Sequence, residues 1–105
     1  MYALAIIRYR RPLDEVLVHN PAHRTYLQDL RRSGVLVASG PLDPRSGGAL
    51  LLRVPDDSVQ AALDAVRDND PYWISGVAQY ELLPWNVMTG REDLDGLTSR
   101  PEVAP

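Results

Sequence analysis

Strand-like and helix-like segments alternate along the first 85 residues in an order that few folds accommodate. Strands are indicated by short apolar runs with a period of two, and helices by apolar residues three and four apart. The strand patterns are residues 2–8, 35–38, 49–54 and 77–83, and the helix patterns are residues 20–34 and 56–69. This β-α-β-β-α-β order predicts an α+β, ferredoxin-like fold, with an antiparallel sheet and both helices on one face.

Capping signals set the expected ends of the two helices. Asn20 is a favourable N-cap, Pro21 suits the first helical position because it lacks an N–H group, and Gly34 marks the C-terminal end. Asp56 or Asp57 is expected to cap the second helix. Each helix carries one apolar stripe, so each is predicted to dock on the sheet by one face.

The other face of the sheet needs a cover, and in so small a chain a second copy is the expected one. A homodimer is therefore predicted. After Trp85 the composition becomes polar, with scattered Gly and Pro and little periodicity. We expect a domain of residues 1–85 and a C-terminal extension of residues 86–105 that packs on the domain or on the partner subunit.

Charge and composition narrow the classes of partner. The eleven basic residues are all arginines, they form no run, and the net charge is −3, which argues against nucleic acid and anionic membranes as partners. The absence of cysteine excludes disulfides, thiolate zinc sites and a cysteine nucleophile. The apolar N-terminal run is too short to span a membrane and lacks the order of a signal peptide, so we expect a cytoplasmic protein.

His23 is the first candidate for chemistry. Counted from Asn20 as the N-cap, it is the third residue of the helix, where the positive end of the helix dipole favours a neutral imidazole. A neutral imidazole can act as a base near neutral pH. The alternative is a histidine at the edge of the apolar stripe that only donates a hydrogen bond to a loop.

A second candidate lies in the turn NDPYW before the last strand. Asp70 either caps the adjacent backbone, as Asp-Pro turns often do, or projects toward His23 and fixes its tautomer. Tyr72 and Trp73 either wall an apolar pocket or are ordinary packing residues.

Small residues follow the second strand in the stretch ASGP. Ser39, Gly40 and Pro41 would let a ligand approach the backbone, although a tight turn explains them equally well. Ser39, Tyr72 or Arg8 is expected to bind a substrate oxygen. His19 and His23 have the spacing of two metal ligands on a helix, but Pro21 interrupts it, so no metal is expected.

Three segments together resemble the YCII-related (YciI-like) family over residues 1 to about 85. They are PAHRTYLQDLRRSGVLVASGP (21–41), DNDPYWISGV (68–77) and ELLPW (81–85). The resemblance implies a dimeric α/β barrel and a His–Asp pair in a cleft, which corresponds here to His23 and Asp70. It also implies small-molecule enzymes, with elimination or isomerisation of hydroxylated aromatic compounds as the nearest chemistry. The loop LDPRSGG and the extension have no counterpart in the family pattern.

Two functions from different classes therefore remain. In the first, the protein is an enzyme that needs no cofactor, in which His23 and Asp70 transfer a proton on a small hydroxylated aromatic or lactone-like compound. In the second, it is a non-catalytic dimer that binds a small molecule or supports another enzyme. A cleft open to His23 favours the enzyme, and an imidazole covered by the extension favours the binding protein.

Overall fold

The computed structural model of the protein describes residues 1–98. Nine elements follow one another within these residues, and they are β1 (Tyr2–Tyr9), α1 (Leu13–Leu17), α2 (Asn20–Arg32), β2 (Leu36–Pro41), β3 (Gly47–Arg53), α3 (Val59–Asp68), α4 (Pro71–Ile74), β4 (Ala78–Trp85) and α5 (Arg91–Thr98). The predicted β-α-β-β-α-β order is confirmed by β1, α2, β2, β3, α3 and β4. The short helices α1 and α4 precede α2 and β4, and α5 lies in the predicted extension.

The sheet has the order β2-β3-β1-β4, and every neighbouring pair is antiparallel. The central strand β1 places Ile7 opposite Gly48 of β3 and Tyr80 of β4. Because the sheet is antiparallel and the order is that of the ferredoxin-like fold, the predicted fold class is confirmed.

The core lies between the sheet and the helices α2 and α3. Alternate residues of β1 face these helices, since side chains of a strand point to opposite faces with a period of two. Ala3, Ala5 and Ile7 are buried there, together with Leu63 and Val66 of α3. The expectation that both main helices cover one face of the sheet is thus confirmed.

The predicted N-caps of the two main helices are wrong by one or two residues. The N-cap of α2 is His19 rather than Asn20, and it makes no side-chain capping bond. The N-cap of α3 is Ser58 rather than Asp56 or Asp57, because the carboxylate of Asp56 pairs with the N-terminal amine of the chain instead. The end of α2 agrees with its signal, since Gly34 follows it with a φ of +83°.

Strand bounds also differ from the sequence patterns. β2 continues through residues 39–41, which were expected to form a turn, and Pro41 pairs with Gly48. This is possible because β2 is an edge strand, where a missing N–H group can face away from the sheet. β3 likewise begins at Gly47, so that the connecting loop contains only residues 42–46.

The helix α5 packs on the face of the sheet opposite α2 and α3. The hydroxyl of Tyr2 donates to Asp95 at 2.7 Å, and the guanidinium of Arg53 lies 5.3 Å from the centre of the Tyr2 ring. The described part of the extension therefore contacts its own domain, and residues 99–105 of that predicted extension lie outside the described residues. No helix within residues 1–98 is long and apolar enough to cross a membrane.

Candidate functional site

The side chains of His23 and Asp70 meet behind the first turn of α2. His23 projects from α2, and Asp70 is the N-cap of α4, so each helix start holds one member of the pair. The Nδ1 atom of His23 lies 2.7 Å from Oδ1 of Asp70. Asp70 is fully buried and His23 is 7% exposed, so the pair is shielded from bulk water.

Asp70 accepts hydrogen bonds from other donors as well. The backbone N–H of Tyr72 donates to Oδ1 at 2.9 Å, as expected for an N-cap, and the hydroxyl of Tyr80 donates to Oδ2. Burial, and then the nearby charge of Asp70, raises the pKa of the Tyr80 hydroxyl, which therefore remains a donor. A carboxylate surrounded by donors accepts from Nδ1–H of His23, and this tautomer leaves Nε2 with a lone pair.

The free nitrogen of His23 is accessible from a pocket. In the part of the chain that the structure describes, Nε2 has no hydrogen-bond partner. Every side-chain nitrogen or oxygen that is fully buried in this part does have one, so Nε2 is not among the fully buried atoms. Nε2 is therefore not sealed inside the protein. The ring of Tyr72 stacks on the imidazole, with ring centres 3.8 Å apart and an angle of 9° between the planes. This stacking holds the imidazole plane in one orientation.

The pocket lies between α2 and the β2–β3 edge of the sheet. Its volume is about 460 Å³, which is within the range of small-molecule sites. Ile7, Leu27 and Leu50 supply apolar surface, and His23 supplies a polar group in the same wall. Such a pocket can accept one aromatic ring with polar substituents.

Some of the residues predicted to bind substrate do line this pocket. Ser39, Gly40 and Pro41 form part of its wall from β2, and Tyr72 lies beside the imidazole. The amide of Asn20 donates to the Tyr72 hydroxyl at 2.7 Å, which fixes the position of that hydroxyl. Burial raises the pKa of Tyr72, so its hydroxyl keeps its proton.

Two residues predicted to bind substrate lie elsewhere. Arg8 is on the opposite face of β1 from Ile7, where its guanidinium pairs with Glu81 at 3.1 Å. Trp73 is on the outer side of α4 and packs against the ring of Tyr80 and the guanidinium of Arg67. Neither is among the described residues that line the pocket, and their contact with a ligand stays a prediction.

Sequence reasoning missed several polar residues of the site, namely Tyr9, Asn20, Arg24, Gln28, Arg45 and Tyr80. The sequence does contain a signal for Tyr80, because it lies two residues from Ala78 and from Leu82 and so shares the buried face of β4 with them. A buried tyrosine hydroxyl requires a hydrogen-bond partner. Arg45 has no such signal, since it belongs to a polar loop whose conformation the sequence does not reveal.

Metal ligands are not grouped in this region. Within residues 1–98, no three histidine, cysteine, aspartate or glutamate side chains are placed to hold one ion. Helix α5, in the described part of the extension, lies on the other face of the sheet from the imidazole, where it contacts Tyr2.

Fold and pocket together define a small ferredoxin-like α+β domain with a ligand-sized pocket between a helix and a sheet edge. Residues 1–86 match the model of the YCII-related domain, and the chain belongs to this family. The resemblance stated from the sequence segments is thereby confirmed. No curated protein matches the chain.

A solved structure of similar fold is the 5-chloro-2-hydroxyhydroquinone dehydrochlorinase of Burkholderia phenoliruptrix AC1100, in complex with 2,5-dihydroxybenzoquinone. The two chains superpose with a TM-score of 0.67 and share 21% sequence identity. The match covers 82% of this chain and 94% of the dehydrochlorinase. At this identity the comparison establishes the shared fold.

Proposed function

We propose that the protein is a small-molecule enzyme in which His23 transfers a proton through Nε2 and Asp70 holds the imidazole in the required tautomer. One observation carries the proposal: Nδ1 is bound to a buried carboxylate, while His23 lines a ligand-sized pocket and its Nε2 has no partner among the described residues. An aspartate in this position also stabilises the imidazolium that forms when Nε2 takes up a proton. The step uses side chains of this chain alone.

A hydroxylated aromatic ring is the substrate class that the pocket supports best. Its apolar walls and stacked Tyr72 suit a ring, and its polar groups suit ring oxygens. The dehydrochlorinase of similar fold carries a dihydroxybenzoquinone in its structure, which is a compound of this class.

The proposed step balances as an isomerisation. Nε2 takes the proton of a ring hydroxyl, the O–H electron pair forms a carbonyl, and the displaced ring electrons bond a proton delivered to carbon. The imidazolium thus returns the proton that it received. If that carbon bears a leaving group, the group departs as an anion while a second hydroxyl proton moves to Nε2, which completes an elimination.

Exchange of ring hydrogens tests this proposal without the native substrate. Anaerobic 1,2,4-trihydroxybenzene in D₂O exchanges ring hydrogen only through the keto form, and ¹H NMR follows the loss of the ring signals. The wild-type protein is expected to accelerate the exchange, and His23→Gln to lower that acceleration by roughly 10²- to 10⁴-fold. The matched control is His19→Gln, because His19 and His23 are the two histidines of the chain.

Equal exchange rates with His23→Gln and with the wild type would refute the proposal. If the wild type binds the compound but accelerates nothing, a non-catalytic binding protein is the correct description. Nitrogen-15 NMR checks the tautomer separately: in the wild type the His23 signals should be those of the Nδ1–H form, and Asp70→Asn should mix the two tautomers.

We also propose that a second copy of this chain covers the open face of the sheet. Leu83 and Trp85 of β4 are 40% and 43% exposed on the face opposite α2 and α3, next to half-buried Leu4 and Ile6. Light scattering is expected to give twice the mass of one chain, and Leu83→Asp to return it to that of one chain. A monomeric wild type would contradict the proposal.

A further inference from the structure

The pocket is lined by positive charge in a protein whose net charge is negative. Arg24 of α2 and Arg45 of the loop at residues 42–46 both line it. Among the residues that the structure describes, the lining contains no aspartate or glutamate, although the chain as a whole has a net charge of −3. A cleft lined by one sign of charge raises the local concentration of ligands of the opposite sign.

Neither of these arginines is neutralised by the protein. Within residues 1–98, aspartate or glutamate carboxylates form ion pairs with Arg8, Arg32, Arg53, Arg67 and Arg91. Arg24 and Arg45 make no such pair in the described part of the chain. Their charges remain available to a ligand.

Arg45 reaches the pocket from a loop whose ends are fixed by backbone hydrogen bonds. The N–H of Leu42 donates to the carbonyl of Gly47 at 2.9 Å, and the N–H of Tyr9 donates to the carbonyl of Ser46 at 3.0 Å. The Nε atom of Arg45 lies 3.5 Å from the hydroxyl of Tyr9. The ring of Tyr9 in turn packs edge-on against Tyr72.

Hydrogen-bond donors predominate among the polar groups of the pocket. The hydroxyl of Tyr72 accepts from Asn20, so its own proton can be donated to a ligand. The hydroxyl of Ser39 lines the opposite wall, and both arginines are donors without acceptor capacity. The complementary ligand carries acceptors and negative charge.

We infer that the pocket selects an anionic ring compound, a phenolate or hydroxyquinone anion, whose ionised oxygen binds Arg45 with support from Arg24. The inference rests on the proposed function and specifies its substrate class. Arg45 is a specificity-determining residue in this arrangement. Its charge also stabilises negative charge that develops on the ring oxygen when Nε2 removes a proton.

Binding of two matched quinones tests the inference. 2,5-Dihydroxybenzoquinone is a vinylogous acid that is anionic at neutral pH, whereas 2,5-dimethoxybenzoquinone has the same ring and no charge. Calorimetry measures Kd for each compound with the wild type, Arg45→Gln and Arg32→Gln. Arg32 is the control, since it is exposed, pairs weakly with Asp29 and lies about 13 Å along α2 from His23.

We expect Arg45→Gln to weaken binding of the anion by roughly fivefold or more, because it removes a charged hydrogen bond. The neutral quinone should bind more weakly to the wild type and respond little to either substitution, and added salt should weaken only the anion. Equal effects of Arg45→Gln and Arg32→Gln would overturn the inference. So would tight binding of the neutral quinone, or no binding of the anion by the wild type.

Failures of the two proposals are distinguishable, because quinone binding needs no proton transfer. Binding of the anion that depends on Arg45, without hydrogen exchange in any variant, refutes the proposed proton transfer alone. Hydrogen exchange that depends on His23, without an effect of Arg45→Gln on binding, refutes the selection of anions alone.

Discussion

Replacing Asp70 by alanine removes the acceptor that the Nδ1–H of His23, the N–H of Tyr72 and the hydroxyl of Tyr80 share. The first two donors are buried, and a buried donor without a partner costs about 1–3 kcal/mol. The third is partly buried and can turn to another acceptor. The expected loss in the free energy of unfolding is therefore roughly 2–6 kcal/mol.

Asparagine at the same position is the matched control for this loss. Its carbonyl oxygen can still accept from Nδ1 and from the Tyr72 N–H, so that the change is mainly one of charge. A charged hydrogen bond exceeds a neutral one by about 1 kcal/mol, and relief from burying a carboxylate offsets part of this difference. Asp70→Asn should therefore lose less than half of what Asp70→Ala loses.

Urea unfolding followed by circular dichroism measures both variants, at one fixed protein concentration because association changes apparent stability. A loss below about 1 kcal/mol for Asp70→Ala would refute the reasoning, since two buried donors cannot lose their common acceptor at so small a cost. Equal losses for Asp70→Ala and Asp70→Asn would also refute it, because the loss would then not depend on whether the new side chain can still accept these hydrogen bonds.

Further substitutions and pH changes test other contacts. Tyr80→Phe, which leaves one oxygen of Asp70 without its donor, should cost about 1–2 kcal/mol in urea unfolding and slow ring-hydrogen exchange less than His23→Gln does. Gly47→Ala should cost roughly 3 kcal/mol or more, because its Cβ would lie 1.8 Å from a backbone carbonyl oxygen of β1, whereas Gly40→Ala meets no atom within 4 Å and should be nearly neutral. Burial raises the pKa of Tyr26 to about 12, so the folded state resists its ionisation. The contribution of Tyr26 to the free energy of unfolding should therefore be constant below pH 10 and fall as the pH rises from about 10 to 12, and Tyr26→Phe should weaken the fall in stability over that range.

Local patterns were sufficient to predict the order of the elements. The alternation in β1 and the Gly34 signal after α2 act between neighbouring residues, so the sequence displays them directly. The same alternation places Arg8 on the opposite face of β1 from Ile7. Because Ile7 lines the pocket, the period of two alone predicts that Arg8 lies away from it. Family resemblance, rather than local pattern, led to the pairing of His23 with Asp70 across 47 positions, and their role remains a proposal.

Long-range contacts explain what was not predictable. Asn20 has the residue type of an N-cap, but its amide donates to the hydroxyl of Tyr72, 52 positions away. Asp56 has the same type of signal, and it is bound by the N-terminal amine of the chain. In both cases a capping side chain has a stronger partner in the folded protein, and no local pattern reveals that partner.

The groups of the pocket are divided between two parts of the backbone with different freedom to change. His23 and Asp70 lie at the starts of two helices that the core holds in place, whereas Arg45 lies in a five-residue surface loop, at residues 42–46, between two strands. Loops of this kind accept insertions and substitutions at small cost to stability. Descendants of such a chain can therefore acquire a new ligand preference by changes in one hairpin loop, without disturbing His23 and Asp70, the residues proposed to transfer the proton.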